Sequence, residues 1–163
     1  MVLPEQTIKE LLSFNSGEPI IITPCSIDGD CKDYSVIAYV RTITNHTPAY
    51  INSVQLVMSF PISYPDESPN VKLNGTQLFH PNFTAEGQWV SNYLNPNETI
   101  SEYIMRLTRT LQFKDIDKWN VGNRNAMAWY NRRKNDGTFP TDNIEYRAKP
   151  RISILRFGDT RES

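Results

Sequence analysis

The residues whose types and spacing could do chemistry lie in one stretch, FHPNFTAEGQWVS, from Phe79 to Ser91. Pro81 fixes the backbone beside Asn82, so the Asn82 amide can be aimed. An amide held near an acyl carbonyl can donate to a developing oxyanion. Such a donor is useful only beside a nucleophile. Val90 has no nucleophilic atom. Ser91 carries a hydroxyl, but no obvious base adjoins it in sequence, and an unactivated serine is a poor nucleophile. His80 reads best as a packing and hydrogen-bonding residue of the loop, since one histidine without a second ligand makes no metal site.

Other chemistries lack their motifs. The sequence has no glycine-rich phosphate loop, no H-E-x-x-H and no C-x-x-C. His46 and His80 are its only histidines, and no Ser/His/Asp arrangement stands out. No cofactor and no metal are expected. The net charge of -1 gives no global electrostatic case for nucleic acid or an anionic membrane. The basic cluster Arg132-Arg133-Lys134, after the aromatic pair Trp129-Tyr130, reads as a solvated helix end favourable to the helix dipole. No apolar run approaches the roughly 20 residues of a membrane span. The first residues, MVLPEQTIKELLSF, lack the pattern of a signal peptide, so a cytoplasmic location is expected. Cys25 and Cys31 then read as cytosolic thiols, although they flank Asp28-Gly29 and could pair across a hairpin. The Asn-X-Ser/Thr sequons at Asn45, Asn74, Asn82 and Asn97 read as chance in a chain rich in asparagine.

These residues need elements to position them. Ile8, Leu11 and Leu12 give helical spacing to Pro4–Phe14, with Gly17 as its stop. Ile20-Ile21-Ile22 starts a strand, and Asp28-Gly29 turns it into a second run, Tyr34 to Ile43. Thr44 to Tyr50 reads as a loop. Val54, Leu56, Met58 and Phe60 alternate as a third strand, and Val71 and Leu73 mark a fourth. The X-Pro steps at Pro61, Pro65 and Pro69 make the connection between them extended and stiff. Thr99 and Glu102 form a T-x-x-E capping box, followed by the apolar stripe Ile104, Leu107 and Leu111. A last helix is expected over Asn123–Lys134. Strands grouped between helices predict an α+β domain with a four-stranded antiparallel meander.

In that order the chain resembles the ubiquitin-conjugating enzyme (UBC-like) family. The resemblance rests on Phe60-Pro61, Tyr64-Pro65, Pro69-Asn70-Val71, His80-Pro81-Asn82, Gly87, and Asn125-Ala126 followed by Trp129-Tyr130, and covers roughly Pro4 to Lys134. It implies a UBC-like domain over residues 1–134 and a divergent extension over 135–163. It also implies that Asn82 serves a thioester or orders the adjacent loop; here loop order is expected, with the Asn82 side-chain amide bonding backbone in the Phe83–Val90 segment. The family's nucleophilic cysteine falls on Val90. A one-residue slip, or a cysteine replaced by serine, would put the nucleophile at Ser91. The link from Val90 to Thr99 is shorter than the family's, and Trp89 is bulkier than the aliphatic residue usual there.

The expectation is a chain similar to the cysteine-less relatives: no catalysis, with His80, Pro81, Asn82 and Val90 as a vestigial site. It would act as a binding or scaffold module for a ubiquitin-like protein, an activating or ligating enzyme, or an active conjugating enzyme. Two alternatives stay open: an acyl-transfer enzyme using Ser91, and a structural subunit of a larger assembly. In the extension, Ile152, Ile154 and Phe157 alternate with Arg151, Ser153 and Arg156, as in a half-buried strand.

Overall fold

The computed structural model describes residues 3–14, 19–26, 32–46 and 49–134. The Asp28-Gly29 turn, Cys31, Gly17 and the whole 135–163 extension, with its expected Arg151–Phe157 strand, lie outside the described residues. Nine elements follow in order: α1 (Glu5–Leu12), β1 (Ile20–Pro24), β2 (Asp33–Ala38), β3 (Thr42–Asn45), β4 (Ala49–Ile51), β5 (Val54–Ser59), β6 (Asn70–Leu73), α2 (Ile100–Leu111) and α3 (Arg124–Arg133).

Strands β1, β2, β5 and β6 pair in that order as an antiparallel sheet. Alternation sets the register: Val36 faces Leu56 and Tyr34 faces Met58 across one pair of strands. Val54, Leu56 and Met58 are buried, while Gln55 between them is exposed. The same hydrophobic cluster takes in Ile104, Leu107 and Leu111 of α2 and Leu11 of α1. The sheet's inner face and the helices thus share one core. Beyond β5 the chain crosses Pro61 to Pro69 with a cis Tyr64-Pro65 peptide.

Helix α2 begins as its sequence demands. The Thr99 side chain accepts from the Glu102 amide and the Glu102 side chain from the Thr99 amide, closing the capping box. It ends in a Schellman motif. The Lys114 amide bonds the Arg109 carbonyl at 2.9 Å and the Phe113 amide bonds the Thr110 carbonyl at 3.0 Å. Phe113 takes the left-handed position, at φ 62°, where glycine is usual. Its ring is kept there by the cluster it forms with Ile43 and Trp129.

Two expectations for the middle of the chain need correction. The run from Tyr34 to Ile43 is not one strand, because β2 stops at Ala38 and β3 starts at Thr42. The stretch Thr44–Tyr50 is not a plain loop, because β3 and β4 form a separate two-stranded ribbon. Pro48 and the polar residues Asn45-His46-Thr47 favour a loop locally. The ribbon instead owes its place to Ile43, which is fully buried against Phe113 and Trp129. Helix α1 likewise stops at Leu12, with Ser13 as its C-cap. Among the described residues, no helix is long and apolar enough to cross a membrane.

Leu107 is 1% exposed in the shared core. Leu107→Ala is expected to lower unfolding free energy by about 2–5 kcal/mol in a denaturant titration. Leu12→Ala, at a position 41% exposed, serves as the near-neutral control.

Candidate functional site

The segment carrying Asn82 and Val90 is built as a turn laid against β6. The Thr84 amide bonds the Gln88 carbonyl, and the Gly87 amide bonds the Thr84 carbonyl, both at 2.9 Å. Gly87 sits at φ 91°, a conformation side chains resist. The Leu73 amide reaches the Gly87 carbonyl at 2.8 Å, and the Trp89 amide reaches the Val71 carbonyl at 3.0 Å. The turn then closes on itself, with the Val90 amide donating to the Asn82 carbonyl at 3.0 Å. Val90 therefore lies beside Asn82 and is only half-buried.

His80 is fully buried. Its Nδ1 accepts from the Asn82 amide at 3.0 Å, which leaves the proton on Nε2, and Nε2 donates to the Thr110 carbonyl at 2.6 Å. The ring thereby ties the end of α2 to the Asn82 loop. It packs on Phe113 and Phe83, with ring centroids 4.5 and 5.2 Å away. Burial lowers its pKa from 6.5 to about 4 against the opposing pull of the Thr110 carbonyl, so the ring is neutral near pH 7.

The Asn82 side chain is buried as well, and both its N–H groups and its carbonyl oxygen bond groups distant in sequence. Its Nδ2 donates to the carbonyls of Asp117 at 2.7 Å and Asn120 at 2.8 Å, and its Oδ1 accepts from the Asp117 amide at 2.9 Å. The expectation of side-chain bonds to the Phe83–Val90 backbone is thus corrected. Only the Asn82 main chain bonds that segment, and the side chain braces the loop after α2. Both N–H groups are engaged, so none is left for an oxyanion. Asn82 heads a sequon, and its burial closes it to a glycan in the folded chain.

The 117–122 loop is held from both sides. The Gly122 amide donates to the Pro81 carbonyl at 2.7 Å. A Cβ on Gly122 would come within 2.7 Å of the Phe83 main chain, so the close approach requires glycine.

Asp117 is the residue that sequence reading missed. Its Oδ2 accepts from the Ser91 hydroxyl at 3.0 Å, the Asn120 amide at 2.8 Å and the Tyr93 hydroxyl at 3.3 Å, and its Oδ1 accepts from the Trp119 amide at 2.9 Å. Burial alone would raise the Asp117 pKa. Donors from Asn120, Trp119 and Ser91 outweigh it and hold the carboxyl below its ordinary value. Burial and the Asp117 charge raise the Tyr93 pKa in turn.

Arg106 was missed too. It leaves α2 to form an ion pair with Glu98 at 3.0 Å, and it donates to the carbonyls of Ser91 at 2.8 Å and Tyr93 at 2.6 Å. Its guanidinium lies over the rings of Trp89, Tyr93 and Tyr103, 5.1–5.3 Å from their centroids. Arg106 thus clamps the short link between Val90 and Thr99, together with the Tyr103 hydroxyl on the Asn92 carbonyl and Ser68 on the Leu94 amide. A charged residue next to the apolar stripe of α2 was the available signal for it. No local signal marks Asp117, which lies 35 residues from Asn82.

His80, Pro81, Asn82, Val90 and Ser91 lie along one turn, where the Val90 amide meets the Asn82 carbonyl and the Ser91 hydroxyl turns to Asp117. It sets Cys25 on the exposed surface after β1. Among the described residues, no three His, Cys, Asp or Glu side chains converge in a way that could hold a metal.

The sheet order, the capped α2 and this turn together define a UBC-like α+β fold. Among solved structures the chain is similar to human ubiquitin-conjugating enzyme E2 G1, at 21% identity and a TM-score of 0.50, covering 68% of this chain and 98% of that one. At that identity the likeness speaks for the fold alone. No family model matches the sequence, and no curated protein does.

Two measurements probe the site. Asn82→Ala removes three part-buried bonds, each worth about 0.5–1.5 kcal/mol, so roughly 1.5–4.5 kcal/mol is expected to be lost. Hydrogen exchange at the Asp117 amide should rise more than at the amides of β5. His80 has a lowered folded pKa, so the unfolded chain binds the extra proton first as pH falls. The stabilisation is complete above about 6.5 and drains as pH falls toward about 4. Roughly 2 kcal/mol should be gone by pH 5, and His80→Gln should flatten that part of the profile while lowering stability at pH 7.

Proposed function

We propose that this chain is a catalytically silent UBC-like protein of the cytoplasm, acting as a binding or scaffold module in a ubiquitin-like pathway. Residues 1–134 form the UBC-like domain and 135–163 a divergent extension. The partner is a ubiquitin-like protein, an activating or ligating enzyme, or an active conjugating enzyme. One observation supports the reading: the Val90 amide closes the turn on the Asn82 carbonyl, and the resemblance assigns the family's cysteine to Val90. A valine there can form no thioester.

The rest of the site agrees. Asn82 has no donor to spare. The surface around Asp117 carries exposed aromatic rings, with Trp119 85% and Tyr93 45% exposed, among the exposed polar residues Asp115, Lys118 and Asn120. Large exposed aromatics suit recognition better than they suit a solvated surface.

Ser91 acyl transfer is the second reading, favoured by the 3.0 Å bond from its hydroxyl to Asp117. The pairing has the form of a nucleophile and a base, but its chemistry is weak. A carboxylate held below its ordinary pKa is a poor proton acceptor. Ser91 is also 2% exposed, which leaves an acyl carbonyl no approach.

Incubation with an activating enzyme, ATP and a ubiquitin-like protein should leave no adduct on this chain. A thiol-sensitive adduct at Cys25 or Cys31 would overturn the proposal. A hydroxide-labile ester lost in Ser91→Ala would install the second reading. Chemical-shift titration of the silent chain with a ubiquitin-like protein, and with a charged conjugating enzyme, tests the binding role. No shift with either rejects it.

A further inference from the structure

Between β6 and His80 the chain is sparsely bonded. The Asn74 amide donates to the Gln55 carbonyl at 2.9 Å, and the next bonded amide is that of Phe79, which donates to the Ile43 carbonyl at 3.0 Å. The amides of residues 75–78 in between donate to no group among the described residues, and the Asn74 carboxamide bonds none either. An open cavity of about 440 Å³ lies between residues 75–78 and the Thr84–Gly87 turn. Asn74 and Gly75 are both exposed. Gly75 sits at φ 76°, and a Cβ added there would meet nothing within 4 Å. A segment with so few bonds and so much room rearranges locally at small cost.

The residue types at this spot are reactive toward each other. Of the fifteen asparagines in the chain, only Asn74 precedes a glycine. An asparagine carboxamide carbon lies within reach of the next residue's nitrogen, and glycine places no side chain beside that nitrogen. Here neither group is held back by a hydrogen bond. Asn82 is the opposite case, buried and with its carboxamide bonded at three points. We propose that Asn74-Gly75 is a self-modifying site, at which Asn74 is converted without an enzyme to aspartate and isoaspartate.

The Gly75 nitrogen gives up its proton to solvent base and attacks the Asn74 side-chain carbonyl carbon. A carbon–nitrogen bond forms, closing a succinimide ring, and the bond to Nδ2 breaks. Nδ2 leaves as ammonia, taking a proton back from solvent. Water then opens the ring at either carbonyl. Attack at the side-chain carbonyl gives aspartate, and attack at the main-chain carbonyl gives isoaspartate. One water is consumed and one ammonia released, with no change of oxidation state. Either product adds a carboxylate to a chain of net charge -1. Isoaspartate also lengthens the main chain by one methylene just after Leu73, whose amide holds the Gly87 carbonyl at 2.8 Å. The change therefore falls at the border of the turn that carries Asn82 and Val90. The reaction needs no partner and does not rest on any role in conjugation.

The test ages the full folded chain in native buffer from neutral to mildly alkaline pH. Peptide mapping that separates the two isomers follows each asparagine. Conversion at Asn74 should outrun that at Asn52, which is also exposed but precedes Ser53, by about tenfold. Isoaspartate should exceed aspartate. The rate should rise about tenfold per pH unit, since the minor amide anion is the nucleophile. Gly75→Ala should slow conversion by placing a Cβ beside the attacking nitrogen. Asn74→Gln keeps the turn glycine but requires a larger ring, and should release no ammonia from this position. Equal conversion at Asn74 and Asn52 would overturn the proposal. Aspartate without isoaspartate would also overturn it, because direct hydrolysis forms no ring.

Discussion

The site depends on the reciprocal bonding between the Asn82 side chain and the backbone of the 117–120 loop. Two irregular stretches, far apart in sequence, meet there over the buried Asn82 side chain. A peptide group shielded there without a partner would cost what a lost hydrogen bond costs. Asn82 supplies two donors and one acceptor at one point, which is what two carbonyls and an amide require. Holding the Asp117 main chain then fixes where its carboxylate lies. From that position it gathers Ser91, Tyr93, Asn120 and the Trp119 amide.

Two further ties turn this bond into a frame. His80 connects the Asn82 loop to the last turn of α2, donating to the Thr110 carbonyl that the Phe113 amide also bonds. Arg106 connects the middle of the same helix to the chain just beyond Val90. Helix α2 is anchored independently through its capping box and through Glu10 of α1, whose carboxylate accepts from the Ser101 amide at 2.9 Å. The loops around Val90 therefore inherit their order from a helix whose own position is set by the core.

A frame so fully bonded has a chemical consequence. Catalysis needs donors and bases left unspent until charge develops. Here the Asn82 donors are spent, the Asp117 carboxylate is stabilised as an anion, and the position beside them is valine. What stays open around this centre includes three large apolar side chains, Trp119, Tyr93 and Val121. The geometry holds a surface in place rather than a reacting group.

The sequence by itself determined the elements whose signals are local. The capping box at Thr99 and Glu102 set the start of α2, the alternation from Val54 to Met58 set the inner face of the sheet, and the helix expected over Asn123–Lys134 runs from Arg124 to Arg133. The ordered motifs from Phe60 to Tyr130 carried the fold, and the gap from Asn82 to Val90 exposed the missing thiol. Tertiary structure alone decided which groups Asn82 would bond, that Asp117 would reach Ser91, and that residues 42–51 would pair as a ribbon. The reason is range. Caps and alternation are enforced within a few residues, whereas the partners of a buried side chain depend on which distant loop the core delivers to it, and no spacing in the sequence encodes that.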